Sequence, residues 1–149
     1  MDYENILIAT DGSKIMGEVY EHAIYMAKSL DSETHIVNVI DVSRFAAVPI
    51  DGTCYRIFKI MLVEGDKITQ DAKRLFTTRG IDESNVGVTV LQGHPSDEIN
   101  KYADTHYVDL IIIGTPIRTG LDHLLIGSVA EKVIRTSKFL VLVVRGEKC

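Results

Sequence analysis

The chain has 149 residues, is 46% hydrophobic and carries a formal net charge of −5 at pH 7. This length predicts one domain, 1–149, with enough apolar residues to bury a core without disulfides or a structural metal. The acidic balance argues against a general nucleic-acid-binding surface, because binding to phosphate backbones needs clustered lysine and arginine side chains.

The cysteines and the first residues indicate where the protein works. Cys54, in a stretch predicted as a loop, and Cys149, the last residue, have neither metal-ligand spacing nor the pattern of a disulfide framework, so we expect free thiols. Residues 1–5 are acidic where a secretion signal is basic, and no apolar run approaches the length of a membrane span. We therefore expect a soluble, cytoplasmic protein.

The first part of the sequence predicts a strand, a helix and a second strand. Residues 5–10 form a short apolar run, typical of a strand covered on both faces in a parallel sheet, and the run stops at Asp11. Apolar residues recur every three or four positions over 17–30, which predicts a helix with one buried face. Residues 35–40 form the second strand, which ends at Asp41. Such a unit nearly always crosses over right-handed.

The rest of the chain continues the alternation of helices and strands. Residues 42–55, which include Pro49, have no clear period and predict a long loop, either a lid or binding loop or a variable surface excursion. A long helix is predicted over about 55–78, and Gly80 is placed to end it. The remaining predictions are strand three over 86–91, a helix after the turn at 93–96, strand four over 110–113, a helix beginning at Ser128 and strand five over 140–144.

Five buried strands alternating with four helices predict a doubly wound parallel sheet with helices on both faces. In such sheets ligands lie beyond the carboxyl ends of the strands, where the strand order reverses. The polar turns at Asp11, Asp41 and Gly114 each follow a strand and therefore lie at the same edge. Three loops are thus placed to contact one ligand.

The stretch 110–128 is the main candidate for a ligand site. A four-residue apolar run ends at Gly114, a loop containing Gly120 follows, and Gly127 and Ser128 open an amphipathic helix. Free backbone N–H groups at a helix start favour an anion, most often a phosphate, and glycines let a ligand approach the backbone closely.

Two of the candidate residues also have a purely structural interpretation. Ser128 with Glu131 matches a capping box, which is complete without a ligand, although the N–H groups of Gly127, Ser128 and Val129 could still bind phosphate. Asp11 matches a turn residue that bonds to the backbone of its own loop. The sequence leaves both interpretations open.

Four segments of the sequence resemble the universal stress proteins, UspA-like domains of the adenine-nucleotide-binding α/β group. They are Ile-Leu-Ile-Ala-Thr-Asp-Gly-Ser at 6–13, Val-Ile-Asp at 39–41, Gly-His-Pro at 93–95, and Arg-Thr-Gly-Leu at 118–121 followed by Gly-Ser-Val-Ala-Glu-Lys-Val at 127–133. The resemblance covers nearly the whole chain, and its last segment is the most specific. It implies the strand order 3-2-1-4-5, with the switch point beneath Asp11 and Gly114.

The resemblance also implies a ligand, ATP or another adenine nucleotide, with or without magnesium. By this likeness Asp11 bonds to the adenine or the ribose, and Val39 contacts the adenine edge through its backbone, although the ordinary role of a valine in a strand is in the core. The nucleotide-binding residues that the resemblance implies are Thr10, Asp11, Val39, Gly114, Thr115, Arg118, Gly127, Ser128 and Val129.

The glycine loop departs from the family's ATP-binding pattern of glycine, two residues, glycine, nine residues, then glycine with Ser or Thr. Gly114 and Gly127 match, but Ile117 replaces the middle glycine and Pro116 stands where histidine is frequent. Proline removes a backbone donor, and a β-branched residue resists positive φ and fills the space that glycine leaves. The triphosphate cradle is weakened if that glycine is needed, although Arg118 can supply a charged donor.

The sequence predicts neither catalytic residues nor a metal site. It has no Walker lysine motif and no carboxylate pair at a spacing typical of metal ligands, and His94 is interpreted as part of a turn. Three functions remain open. The favoured one is a nucleotide-binding regulatory module of the stress response, and the others are a dimeric interaction module without nucleotide and a slow ATPase or phosphotransferase.

The last predicted strand, which begins at Leu140 and ends at Val144, is apolar at every position. In the family's strand order it lies at the edge of the sheet, and a long apolar edge with unpaired backbone groups rarely stays bare. We therefore predict a homodimer through this strand, as the resemblance also implies, although Leu140 replaces a frequent proline. The alternative is that a helix or residues 146–149 cover the edge.

Overall fold

The computed structural model describes residues 2–47, 51–117 and 126–147. Five strands of these residues form one parallel sheet in the order β3-β2-β1-β4-β5, which confirms the predicted fold class and strand order. The order reverses between β1 and β4, so the switch point lies at their carboxyl ends. The strands are β1 (Asn5–Ala9), β2 (Glu33–Asp41), β3 (Val86–Gly93), β4 (Leu110–Ile117) and β5 (Leu140–Glu147).

Helices of the described residues cover both faces of this sheet. The helix α2 has 27 residues, yet neither it nor another described helix is long and apolar enough to cross a membrane. Two short 3₁₀ helices, Val42–Phe45 and Glu83–Asn85, lie beside α2 in the chain. The α-helices are α1 (Met16–Leu30), α2 (Gly52–Thr78), α3 (Pro95–Thr105) and α4 (Ser128–Thr136).

Each face of the sheet has its own apolar core, which explains why the strands read as continuous apolar runs. Successive side chains of a strand point to opposite faces. Ile6 and Ile8 pack into the core that contains Phe76 of α2, whereas Leu7 packs into the core that contains Val133 of α4. Because both faces are covered by helices, all three strand residues are fully buried.

The predicted loop over 42–55 is shorter in the structure, and its first residues are not irregular. Residues 42–45 form a 3₁₀ helix because the Asp41 side chain accepts a hydrogen bond from the Ser43 N–H at 3.0 Å. The helix α2 begins at Gly52 rather than at 55, because Asp51 caps it by accepting from the Thr53 N–H at 2.8 Å. Cys54 therefore lies in a helix and is a free thiol, while Pro49 and Cys149 lie outside the described residues.

The ends of strands four and five also differ from the prediction, whereas strands one to three match theirs to within two residues at each end. Strand β4 does not stop before Gly114 but continues to Ile117, because residues 114–117 pair in parallel with residues 144–147 of β5. Strand β1 pairs with β4 no further than Ile112. At Pro116 one side of β4 is therefore an edge, where a missing N–H is tolerated.

Candidate functional site

A cleft of about 250 Å³ opens at the carboxyl ends of β1, β2 and β4. The loop after β1 and the ends of these strands form its floor, while α2, α3 and α4 contribute residues to its sides. The cleft therefore lies at the point where the strand order reverses, which is where α/β sheets of this kind bind ligands.

The structure brings five of the nine predicted site residues together in the wall of this cleft. Thr115, Gly127 and Ser128 do not line it and instead lie where β4 and α4 meet. Arg118 lies outside the described residues. The five lining residues are Thr10, Asp11, Val39, Gly114 and Val129.

Thr10 is fixed between the sheet and the loop that follows β1. Its N–H donates to the carbonyl oxygen of Val37 at 2.9 Å, and its Oγ1 accepts from the Gly12 N–H at 3.1 Å. The same Oγ1 lies 2.5 Å from the hydroxyl of Tyr20, whose pKa is raised by burial. Thr10 is buried, and both of these hydroxyl contacts are internal, so its side chain supports the loop.

Asp11 has the geometry of the turn residue that the sequence indicated. Its Oδ1 accepts from the Ser13 N–H at 2.9 Å, which holds the loop by a side-chain-to-backbone bond. The side chain is exposed and lines the cleft, so Oδ2 remains accessible to a ligand. The structural interpretation of Asp11 therefore leaves room for the functional one.

Asn38 is a buried polar residue of the cleft that the sequence analysis did not single out. It is 8% exposed, and its Nδ2 donates to the carbonyl oxygen of Thr10 at 2.9 Å. A Cβ atom added to Gly65 of α2 would lie 2.7 Å from its Oδ1, so only glycine lets α2 approach β2 here. An asparagine inside an apolar strand and a glycine inside a helix were the available signals, because both carry a cost that needs a structural or functional reason.

The sequence analysis also missed the wall that α2 provides. Met61, Glu64 and Ile68 of this helix line the cleft, as does Arg44 of the 3₁₀ helix after β2. The apolar period of α2 predicts which face of the helix is buried. It does not predict which residues of that face lie beside the carboxyl ends of the strands. These residues could not be assigned to the cleft without the tertiary structure.

The glycine at position 114 is explained by packing, and not by the approach of a ligand alone. A Cβ atom at this position would lie 2.7 Å from Cγ2 of Val19 and 3.2 Å from Cδ1 of Ile15. The first contact is shorter than real Cβ atoms show and the second is tighter than most, so a side chain at 114 would force Val19 of α1 away from β4. The sequence alone could not separate this reason from a phosphate-binding role.

The predicted capping box at the start of α4 is wrong. Gly127 is the N-cap and makes no side-chain cap bond, whereas Ser128 is already the first helical residue and cannot act as the cap. Glu131 instead forms an ion pair with Arg135 at 3.3 Å. The Gly127 N–H, expected to be free for phosphate, donates to Thr115 Oγ1 at 2.8 Å.

Charges in the described wall of the cleft are mostly negative. Asp11, Asp41 and Glu64 contribute carboxylates, and Arg44 contributes a guanidinium. The hydrogen bond from the Ser43 hydroxyl lowers the pKa of Asp41, and the Ser43 N–H and nearby Arg44 act in the same direction. Asp41 is therefore ionised at neutral pH. Within the described residues, no group of three or more His, Cys, Asp and Glu side chains is arranged to hold a metal ion.

The sequence and the fold of this chain are similar to those of known proteins. The model of the universal stress protein family matches residues 2–145. Universal stress protein MJ0531 of Methanocaldococcus jannaschii is 37% identical over 146 residues, which cover 98% of this chain and 84% of that protein. The structure of the hypothetical protein MJ0577 superimposes with a TM-score of 0.83 and 28% identity over the full length of both chains.

Two further solved structures share the fold and contain a nucleotide. A universal stress protein in complex with cAMP has a TM-score of 0.70 and 21% identity, over 97% of this chain and 98% of that one. The universal stress protein from Archaeoglobus fulgidus in complex with dAMP has a TM-score of 0.68 and 22% identity, over 96% and 98%. At these identities the likeness concerns the fold, whereas the family match extends over nearly the whole sequence. The chain belongs to the universal stress protein family.

Proposed function

We propose that the protein binds an adenine nucleotide in the cleft at the carboxyl ends of β1, β2 and β4 and acts as a regulatory module of the stress response. The observation that carries the proposal is the position of this cleft at the topological switch point, with Asp11, Val39 and Gly114 in its wall. Family membership and the two nucleotide-containing neighbours, with cAMP and dAMP, support an adenine ligand.

The backbone of Val39 is suited to recognising the edge of a base. The Val37 carbonyl points towards β1, since it accepts from the Thr10 N–H, and residues two apart in a strand point their backbone groups the same way. The N–H and C=O of Val39 therefore also point towards the β1 side. Because β1 ends at Ala9, it leaves these two groups without a partner from that strand. A donor next to an acceptor matches the edge of an adenine ring.

The surroundings of Val39 are suited to holding the faces of the base and its sugar. Val37, Ile99 and Ile113 supply apolar surface to the cleft, and the Asp11 carboxylate stands at its rim as an acceptor. A mostly apolar cavity with a few fixed polar groups is typical of small-molecule sites. Asp11 Oδ2 accepts a hydrogen bond from the amino group of the base or from a ribose hydroxyl.

Calorimetric titration of the purified protein with AMP, and with ATP in the presence and absence of magnesium, tests the proposal. We expect binding that Asp11→Ala weakens by about tenfold, the effect of losing about 1.4 kcal/mol. Asp82→Ala is the matched control, because Asp82 makes the same 2.9 Å turn bond to a backbone N–H but lies just before β3, at the opposite edge of the sheet. Absence of binding to all the nucleotides at millimolar concentration would refute the proposal.

A dimeric interaction module of the same family is the second candidate function. Strand β5 pairs with β4 on one side, and its first residue, Leu140, is 55% exposed. An exposed apolar residue on an edge strand favours pairing with a second copy of the chain. As the alternative to the first proposal, this module binds no nucleotide. The pairing edge itself is compatible with an occupied cleft, because β5 contributes no lining residue among those described.

A further inference from the structure

The donors and charges around the cleft bear on the number of phosphate groups that it accepts. We infer that the preferred ligand is a nucleoside monophosphate rather than a triphosphate. This inference rests on the proposed function, because it concerns the same cleft. It is carried by the hydrogen bonding of Thr115, the pairing of β4 with β5, the charges of the lining residues and the size of the cleft.

The first support is the use of backbone donors between β4 and α4. The Gly127 N–H donates to Thr115 Oγ1 at 2.8 Å, and Thr115 is 3% exposed, so neither group is available to a phosphate. Pro116 has no N–H to offer. Residues 114–117 are held in register with 144–147 of β5, so this segment is a strand rather than a loop that wraps around phosphates.

The second support is the charge of the described wall. Asp11, Asp41 and Glu64 carry three negative charges against the one positive charge of Arg44. A triphosphate carries more negative charge than a monophosphate, and its repulsion by these carboxylates is correspondingly larger. Salt reduces this repulsion for exposed groups. The repulsion therefore favours the monophosphate without preventing a triphosphate from binding.

The third support is the size of the cleft. Its volume of about 250 Å³ is below the range of roughly 300 to 1,000 Å³ that is typical of small-molecule sites. The base and the sugar take up most of this space. Little of this volume is then left for phosphate groups, and the carboxylates of the described lining repel each one that is added.

The wild-type protein is titrated with AMP and with ATP, with and without magnesium, at constant ionic strength. We expect AMP to bind at least about fivefold more tightly than ATP, which corresponds to about 1 kcal/mol. Equal or tighter binding of ATP in either condition overturns the inference but leaves the proposed function standing. Failure of both nucleotides to bind overturns the proposed function, and this inference with it.

One variant and its matched control test whether the charge of the cleft causes this preference. Glu64→Gln removes one exposed carboxylate of the cleft, so we expect the affinity for ATP relative to AMP to rise by about twofold, a small effect because the group is screened. Asp66→Asn is the matched control, since it makes the same charge change on α2 at a residue that does not line the cleft, and the ratio should not move. An unchanged ratio in Glu64→Gln contradicts the role of charge.

Thr115→Ala tests the role of the occupied donor. This change removes the acceptor of the Gly127 N–H without putting a methyl group in its place, so that donor is left for a phosphate. We expect the affinity for ATP to rise relative to AMP by about threefold, whereas a ratio that stays the same or falls contradicts the role of this hydrogen bond. Far-UV circular dichroism shows whether the variant is folded, and the exposed Glu64→Gln variant keeps the inference testable if it is not.

Discussion

His35 shows how a single polar residue is accommodated between the sheet and α3. Its Nε2 lies 3.1 Å from Asn5 Oδ1, and because an amide oxygen only accepts, Nε2 carries the proton. Its Nδ1 then accepts from the Tyr102 hydroxyl at 3.0 Å. Burial lowers the pKa of His35, Glu33 opposes this shift, and His106 adds to it. The neutral ring is therefore the form that the folded protein stabilises.

This pKa shift predicts that acid destabilises the protein through His35. The folded-state pKa lies below the ordinary value of 6.5, so the contribution of His35 to the free energy of unfolding is complete above about pH 6.5. It is lost as the pH falls below that value and through the folded-state pKa. Urea unfolding at about pH 7.5 and about pH 5 should therefore show a smaller loss of stability in His35→Gln than in the wild type.

The control for this experiment is His22→Gln on the exposed surface of α1. It should keep the pH dependence of the wild type, because the histidine that it removes is not buried. If His35→Gln loses as much stability between the two pH values as the wild type does, then His35 does not cause the acid sensitivity. Comparing variants at the same two pH values cancels the contributions of carboxylates, which titrate in all of them.

At the scale of elements, α2 joins the core to the wall of the cleft. Its second half contains its buried residues, Gly65, Thr69, Ala72 and Phe76, whereas no residue of its first half is buried. Ala72 and Phe76 are buried in the core on the apolar side of the helix. Ile57 is only half-buried, because this end of the helix lies beyond the packed core.

Substitution of Gly65 by alanine tests the close packing of α2 on β2. In a helix interior this change normally stabilises a protein by up to about 1 kcal/mol. Here the added Cβ would lie 2.7 Å from Asn38 Oδ1 and 3.1 Å from Cγ1 of Val90, so we expect a loss of about 1 to 3 kcal/mol in the free energy of unfolding. Urea unfolding measures the change.

Gly17→Ala is the matched control, because Gly17 lies in α1 with no atom within 4 Å of an added Cβ. This variant should gain about 0.5 to 1 kcal/mol, the ordinary effect of alanine in a helix. A gain in both variants would contradict the close approach of α2. Because Asn38 also bonds to Thr10, we expect Gly65→Ala, unlike Gly17→Ala, to weaken nucleotide binding in the cleft.

Elements that depend on the local sequence were predictable, whereas elements that depend on contacts between distant residues were not. The strands were predictable because Ile6, Leu7 and Ile8 need cover on both faces whatever the rest of the chain does. The end of β4 was not, because Gly114 and Pro116 read locally as breakers, while their pairing with β5 depends on residues that are distant in sequence. The predicted capping box of α4 was wrong for the same reason. The N-cap residue Gly127 donates its N–H to the hydroxyl of Thr115, which is distant in sequence.

At the scale of the whole molecule, the sequence predicted the part of the cleft that is formed by the ends of the strands. Asp11, Val39 and Gly114 follow strands of a parallel sheet, and the carboxyl ends of such strands always meet at one edge. Glu64 and Gly65 come from a helix whose height above that edge depends on tertiary packing. The parts that a sequence predicts are thus those fixed by chain direction, and the parts that it misses are those fixed by contacts between elements.

The edge of the sheet at β5 predicts a homodimer. Leu140 to Val144 are apolar, and among the described residues β5 pairs with β4 alone, which leaves the backbone groups on its other side for a second strand. A twofold axis beside this edge would pair β5 with its own copy in antiparallel fashion, which satisfies these groups and covers Leu140. Light scattering at micromolar concentration should therefore give about twice the chain mass of 16.6 kDa.

Two variants of β5 separate pairing at this edge from other contacts. Leu142→Pro removes a ladder donor, and Leu140→Lys places a charge at the edge while leaving the backbone intact, so both should shift the mass towards one chain. Leu30→Lys is the control, because Leu30 is also an exposed leucine but lies at the end of α1. A wild-type mass of one chain would rule out the dimer. A dimer that survives both Leu140→Lys and Leu142→Pro would mean that the two chains meet elsewhere, because the two variants disturb strand pairing at this edge in different ways.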